Sequence, residues 1–308
     1  MKKIITAFKD GAEIGEISDA LALLSVESAC CSLDDVEECT KDLNADTVFS
    51  PCFDKTTAEF CHEKGITYIS WVINSPAPEL FVPQILFPTN RIFTADRNLY
   101  RILSSSGIKN IFHETAGFTD NKDIKAIKKM FPCRQNISDA RERILFSLEE
   151  DEKKYLLGLE KAQELVHCDD LFFRALSGSL TDKIYASLRL SSCPDPVSKR
   201  YYVCDCLLRQ EVKSREKRKL GTCGKGHKTV CFDDTGIESL SAMLSGKTLF
   251  SDGCGISDLD LEKGTDYIPY CDVADLALKL NEDSDAACAS KKIWNYSLKN
   301  ALGRMIFS

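Results

Sequence analysis

A polar turn that could hold a ligand follows a strongly apolar segment early in the chain. Residues 66–73 are nearly all β-branched or aromatic, which predicts a parallel strand covered on both faces. Asn74 and Ser75 come next, and a proline then ends the strand. Because open α/β sheets bind ligands beyond the carboxyl ends of their strands, these two side chains could hydrogen-bond a ligand there. Turn formation alone would also account for both residues.

An aspartate and a histidine occupy similar positions after two later apolar segments. Asp96 follows residues 91–94, and His113 ends residues 110–113. Either side chain could act as the general base of a group-transfer reaction, because a carboxylate or an imidazole can accept a proton. The alternative interpretation is structural: Asp96 could cap the next helix, and His113 could belong to the end of its strand.

Predicted strands and helices alternate over the first part of the chain, and this order determines where those polar residues lie. Strands are predicted at 4–8, 47–50, 66–73, 91–94 and 110–113, and helices at 14–24, 56–64 and 98–105. Gly65, directly after the second helix, is a typical helix C-cap. Because strands separated by helices indicate right-handed crossovers and a parallel sheet, we predict a Rossmann-like domain over residues 1–125.

The second part of the chain, residues 126–308, is richer in helices and is predicted to form a second domain. Helices are predicted within 137–166 and 171–190 and at 239–244, 275–280 and 291–305, and strands at 203–208, 229–232 and 248–251. The run KSREKRK at 213–219 is expected to form the solvated face of a helix, because charge runs usually lie in water.

The overall composition is that of a globular protein without a membrane or nucleic-acid partner. Of the 308 residues, 44% are apolar and 28% are charged, and a net charge of −7 disfavours phosphate-backbone binding. No segment approaches the ~18 to 20 apolar residues of a membrane span. The apolar start of the chain is too short for a signal peptide, so we expect a cytoplasmic protein.

Fifteen cysteines raise the question of disulfide or metal chemistry. The odd count and the lack of an export signal favour reduced thiols. The densest group of possible zinc ligands consists of Cys204, Cys206, Cys223, His227 and Cys231. Because this group contains no paired C-x2-C spacing, buried or idle thiols explain it better, and we expect neither a metal nor a cofactor.

Several stretches of the chain resemble the CgeB-like, spore-maturation-type glycosyltransferases. In the first domain these are ADTVFS, HEKGITYISWVINSP and RIFTADRNLYRILSSSGIKNIFH, and in the second YLLGLEKAQELV, LLRQEVKSREKRKL, MLSGKTLFSD and LEKGTDYIPYCDVADLALKL. The resemblance implies a GT-B architecture, in which two Rossmann-like domains flank a nucleotide-sugar cleft. The fold class expected for this chain is therefore α/β, with two such domains of parallel strands and flanking helices, the second reduced and helix-rich.

The resemblance also implies which residues would bind the nucleotide-sugar. Arg209 and Arg215 lie in LLRQEVKSREKRKL, which is similar to the family's R-E-I-T-S-x-E-R helix. Thr235 and Gly236 would hold the diphosphate at a helix N-terminus. Glu238 could replace the acidic residue that binds the nucleotide ribose in the family, although Thr235 and Glu238 also have the spacing of a capping box.

Departures from the family pattern leave two functions open. Asn74 replaces the acidic residue of the family's W-x-x-D-S-P turn, and a segment usual in the family is missing between Phe232 and Gly236. One hypothesis is a glycosyltransferase that transfers a sugar from a nucleotide-sugar to a glycan or protein acceptor of the cell envelope or spore surface. The other is a non-catalytic relative that serves as a binding scaffold. A nicotinamide dehydrogenase is disfavoured because no G-x-G-x-x-G follows the first strand.

Overall fold

The structure is a computed structural model, whose contacts divide the chain into two units. It describes residues 2–9, 11, 14–73, 75–115, 137–168, 171–188, 197–219, 228–231, 237–253, 256, 259, 261–281 and 296–307. The first unit comprises residues 1–133, 235–240 and 291–308, and the second comprises 134–234 and 241–290.

The described elements are nine strands and twelve α-helices. The strands are β1 (Lys3–Phe8), β2 (Glu27–Ser32), β3 (Thr47–Ser50), β4 (Thr67–Val72), β5 (Asn90–Thr94), β6 (Ile111–His113), β7 (Lys228–Cys231), β8 (Thr248–Ser251) and β9 (Ile268–Pro269). The helices are α1 (Gly15–Leu23), α2 (Val36–Leu43), α3 (Lys55–Lys64), α4 (Arg97–Ser105), α5 (Ile137–Ser147), α6 (Glu150–Val166), α7 (Leu171–Ala175), α8 (Gly178–Ser187), α9 (Val197–Lys219), α10 (Ile237–Leu244), α11 (Val273–Asn281) and α12 (Leu298–Phe307).

The first unit contains a six-stranded parallel sheet in the order β2-β1-β3-β4-β5-β6. Its central strand β4 is buried from Tyr68 to Val72, as its continuous apolar sequence predicts for a strand covered on both faces. Helix α3 leads into β4: Asp54 caps its start, and Gly65 ends it in the left-handed conformation at φ +67°. The parallel sheet predicted for residues 1–125 is thereby confirmed. The edge strand β2 and helix α2 were not predicted.

The last helix belongs to the first unit by its contacts, whereas the sequence analysis placed it in the second domain. Helix α12 packs against α1, and the Nζ of Lys2 donates a hydrogen bond to the carbonyl of Ile306 at 2.7 Å. Arg304 of α12 forms an ion pair with Glu114, which directly follows β6. Periodicity predicts that a helix forms here, but contacts distant in sequence determine where it packs.

The second unit combines a small parallel sheet with many helices. Its strands are ordered β7-β8-β9, and Val230, Phe250, Tyr270 and Leu276 form a buried cluster on this sheet. Helices α5 to α9 precede the sheet in the chain, and α9 packs against α5, α6, α7 and α8. An α/β fold with parallel sheets flanked by helices, helix-rich in its second part, is therefore confirmed.

Two predictions for the second part of the chain are wrong, and both concern α9. Residues 203–208 were predicted as a strand, but they lie inside this helix, and all six of them are buried. The run 213–219 was expected to be a solvated face, yet Lys213 and Glu216 are buried. Because α9 is surrounded by four other helices, even its charged positions pack inside the unit.

Candidate functional site

In the first unit, the polar residues predicted after β4 and β5 lie together. The hydroxyl of Ser75 donates a hydrogen bond to Oδ2 of Asp96 at 2.7 Å. Oδ1 of Asp96 accepts from the backbone N–H groups of Asn98 and Leu99, at 2.9 and 3.1 Å. Asp96 is buried and caps α4, so both of its carboxylate oxygens already accept hydrogen bonds within the unit. Asn74 lies outside the described residues.

The end of β6 places a second predicted residue near an ion pair that was not predicted. His113 is half-buried, with its ring 6.1 Å from that of Tyr100. The next residue, Glu114, accepts two hydrogen bonds from the guanidinium of Arg304, at 2.9 and 2.6 Å. This pairing with Glu114 raises the pKa of Arg304 above its usual value. The carboxyl ends of β4, β5 and β6 therefore carry Ser75, Asp96, His113 and Glu114, the arrangement expected of a ligand-binding edge.

In the second unit, the arginines that were predicted to bind a diphosphate are already paired with carboxylates. Arg209 is buried, and its Nη2 lies 3.5 Å from Oδ2 of Asp205. Arg215 lies with Nη1 3.0 Å from Oε2 of Glu160 and Nη2 3.6 Å from Oε1 of Glu164. A phosphate would compete with these carboxylates for the two guanidinium groups.

Glu160 is shared by two arginines. Arg141 donates two hydrogen bonds to its carboxylate, at 3.0 and 2.8 Å, in the bidentate geometry that suits a guanidinium. This bonding raises the pKa of Arg141. The Glu160 side chain is only 2% exposed, whereas those of Arg141 and Arg215 are 21% and 22% exposed. The buried carboxylate of Glu160 therefore pairs with two guanidinium groups that are partly exposed to solvent.

A second charged group of this unit surrounds His167, the left-handed C-cap residue of α6. Its Nδ1 lies 3.0 Å from Oδ2 of Asp252, and its Nε2 lies 3.2 Å from Oε1 of Glu216. Lys213 lies 3.9 Å from the same oxygen of Asp252. All four side chains are at most 6% exposed. We call His167, Lys213, Glu216 and Asp252 the His167 cluster.

The charge state of His167 follows from its two carboxylate partners. Burial alone lowers the pKa of the imidazole, but the hydrogen bond to Asp252 and the electrostatic attraction to Asp252 and Glu216 outweigh it and raise the pKa to about 9. At neutral pH the ring is therefore an imidazolium, which donates a hydrogen bond to Asp252 and forms an ion pair with Glu216. Together with Lys213, it gives the cluster two positive and two negative charges, which is a balanced set for a buried site.

The His167 cluster lies at the carboxyl end of the second sheet. Asp252 directly follows β8, and the N–H of Gly253 donates to the hydroxyl of Ser251 at 3.1 Å. Gly253 has φ +90°, a conformation that side chains rarely adopt, so the backbone turns sharply there. Tyr270 follows β9, and its ring meets that of His167 edge-on at 5.7 Å. Polar groups that follow β8 and β9 therefore meet polar side chains of α9 at one edge of the sheet.

The remaining predicted binding residues cannot be placed beside this cluster. Thr235 and Gly236 lie outside the described residues. Glu238 lies in α10, but its side chain is outside the described part of the chain. Of the possible zinc ligands, Cys204 and Cys206 are buried in α9. Among the described residues, no group of three or more His, Cys, Asp or Glu side chains could hold a metal ion.

Sequence reasoning missed the His167 cluster although one signal for it was present. Asp252 follows the strand predicted at 248–251, the same position that selected Asp96 after 91–94. His167 and Glu216 carried no such signal, since one ends a helix and the other lay in a charge run. Only the packing of α6 and α9 brings these residues to the strand end.

Comparison with known proteins identifies no family for this chain. No protein-family model matches it, and no curated protein sequence matches it significantly. A solved structure from Listeria monocytogenes, described as that of a candidate UDP-N-acetylglucosamine 2-epimerase, is similar over 99% of this chain and 95% of that chain. The identity is 14% and the TM-score is 0.42, a likeness too weak to carry a functional argument. In the described part of the chain, no helix is long and apolar enough to cross a membrane.

Proposed function

We propose that this protein binds a nucleotide-sugar and transfers its sugar to a glycan or protein acceptor of the cell envelope or spore surface. The donor would be bound at the carboxyl end of the second sheet. The proposal depends on one observation above all: the buried His167 cluster occupies that end. Burying charged groups is costly, and buried, charge-coupled groups at a strand edge are typical of functional sites.

The chemistry of sugar transfer fits the charges of the cluster. As the bond to the sugar breaks, negative charge develops on the leaving nucleoside diphosphate, and fixed positive charge stabilises it. The imidazolium of His167 and the ammonium of Lys213 would supply that charge. Asp252 and Glu216 would hold the imidazolium in place, so that little reorganisation is needed during the reaction. In this proposal Arg215, which lies on the same helix as Lys213, is a further charged hydrogen-bond donor.

The proposal is tested by the binding of UDP, GDP, TDP and their common sugar conjugates, measured by thermal shift and calorimetry. A ligand that binds only the folded state raises the melting temperature. We expect one nucleotide class to do so, and Arg215→Ala to weaken its binding by ~1.5 kcal/mol, about tenfold in Kd. Arg218→Ala is the matched control, because Arg218 lies on the same helix but is 56% exposed. Equal nucleotide affinity in Arg215→Ala and Arg218→Ala would count against a binding role for Arg215.

The second candidate function is that of a non-catalytic binding scaffold. It is favoured by the ion pairs of Arg209 and Arg215, since carboxylates of the unit already neutralise both guanidinium groups. This hypothesis expects no melting shift with any nucleotide and no release of nucleoside diphosphate from any sugar donor. Turnover of a sugar donor by the purified protein would exclude it.

A further inference from the structure

Three helices of the second unit bring two arginines to one face of α6. Glu160 and Glu164 are four residues apart on α6, so they lie one turn apart on the same face. Arg141 approaches them from α5, and Arg215 approaches them from α9. Glu160 accepts two hydrogen bonds from Arg141, and Nη1 of Arg215 lies 3.0 Å from its Oε2. The buried carboxylate of Glu160 therefore fixes the position of both guanidinium groups.

The other edge of the Arg215 guanidinium has no such partner. Both Nε and Nη2 of Arg215 are buried, and no described residue accepts a hydrogen bond from either atom. Nη2 lies 3.6 Å from Oε1 of Glu164, which is longer than the about 2.7–2.9 Å of a charge-assisted hydrogen bond. Because a buried donor without an acceptor is costly, this edge is arranged for an acceptor that Glu164 does not supply.

The shape and charge of this edge suit a phosphate group. A guanidinium binds phosphate through two parallel N–H groups, as Nε and Nη2 of Arg215 could provide. Arg141 and Arg215 carry two positive charges, of which Glu160 neutralises one. Glu164 balances the other from outside hydrogen-bond distance, and its side chain is 22% exposed, whereas that of Glu160 is 2% exposed. An incoming anion could therefore take the place of Glu164 without disturbing Glu160.

We propose that the Nε–Nη2 edge of Arg215 is a phosphate-binding site in which Glu164 is a built-in competitor. Arg141 and Glu160 position the guanidinium, and the phosphate displaces the carboxylate of Glu164 and accepts two hydrogen bonds in its place. The identity of the ligand rests on the proposed function: the phosphate belongs to the nucleoside diphosphate of the sugar donor. Competition from Glu164 lowers the affinity of the site, which favours release of the nucleoside diphosphate after transfer.

The test is calorimetric titration of the full-length protein with inorganic diphosphate, a probe that contains neither nucleoside nor sugar. Glu164→Gln removes the competing charge and retains the size of the side chain. We expect this variant to bind diphosphate about fivefold more tightly, the upper end of the effect of a partly exposed ion pair. Asp151→Asn is the matched control, because it removes one negative charge from the same helix at a side chain that is 99% exposed. Its affinity for diphosphate should be unchanged.

A second variant tests the geometry of the site. Arg215→Lys keeps the positive charge but lacks the edge with two donors. We expect it to bind diphosphate about tenfold more weakly, and Glu164→Gln to give no gain when it is added to Arg215→Lys. Glu160 keeps its two hydrogen bonds from Arg141 in these variants, and circular dichroism establishes that each is folded.

Three results would overturn the proposal. They are no diphosphate binding in either the unaltered protein or Glu164→Gln, equal gains in Glu164→Gln and Asp151→Asn, and undiminished binding in Arg215→Lys. Failure of the proposed function gives a different pattern, in which diphosphate binds as expected but UDP, GDP and TDP bind no more tightly and no sugar conjugate is turned over. Conversely, nucleotide-sugar binding that is equal in the unaltered protein, Glu164→Gln and Arg215→Lys would overturn this inference and leave the donor at the His167 cluster.

Discussion

Protonation of His167 is expected to make the stability of the second unit depend on pH. The pKa of His167 rises from 6.5 to about 9 in the folded protein, and a difference of this size corresponds to ~3 kcal/mol. Between these two values the folded state binds one more proton than the unfolded state. The stabilisation is therefore complete below pH 6.5 and is lost as the pH rises through about 9.

Replacing the histidine separates this contribution from all other effects of pH. In His167→Gln the amide can still hydrogen-bond one carboxylate, but the positive charge between Asp252 and Glu216 is gone. We expect the variant to be less stable by ~3 kcal/mol at neutral pH, and the difference from the unaltered protein to shrink towards zero above about pH 9.5.

The assay combines stability and titration. Hydrogen exchange of peptides from α6 and α9, corrected for intrinsic rates, reports the opening free energy of the second unit at each pH. A histidine-specific NMR titration reports the pKa directly, and the resonance absent in His167→Gln identifies His167 among the four histidines. Asp151→Asn on α6 is the control, because Asp151 is 99% exposed. The reasoning would be refuted if the stability difference between His167→Gln and the unaltered protein were the same at pH 6.5 and 9.5. A measured pKa of His167 near 6.5 would refute it as well.

Two further predictions concern the first unit and are measured by thermal or urea unfolding. Arg304→Ala leaves the largely buried Glu114 without its bidentate partner and should destabilise the unit by about 1–3 kcal/mol. Lys41→Ala is the control, because it removes only an exposed ion pair with Glu37 and should destabilise the unit by at most ~0.5 kcal/mol. Equal losses of stability in Arg304→Ala and Lys41→Ala would contradict the importance of the pair between Arg304 and Glu114. Asp96→Ala removes the cap of α4 and should destabilise the unit by ~1 kcal/mol. Asp96→Asn should destabilise it less, because the amide oxygen can still accept hydrogen bonds from the backbone. Similar losses of stability in both variants would exclude capping as the reason.

The sequence by itself determines most of the first unit. Buried strands such as residues 66–73 are recognised from their continuous β-branched and aromatic residues, and helix ends from residues such as Gly65 and Asp96. These signals are local, because backbone conformation and strand burial depend on neighbouring residues. The strand β2 was missed since its sequence, ESACCS, carries no such apolar run.

Only the tertiary structure decided where the charged residues of the second unit lie. The run 213–219 looks solvated by composition, but whether Lys213 and Glu216 meet water depends on which helices surround α9. His167 and Asp252 are far apart in sequence, and the packing of α6 beside the end of β8 brings them within 3.0 Å. Likewise, Arg304 meets Glu114 because α12 packs on the first unit. Local sequence sets the conformation of each segment, whereas contacts between distant segments bring charged groups together and shift their pKa values.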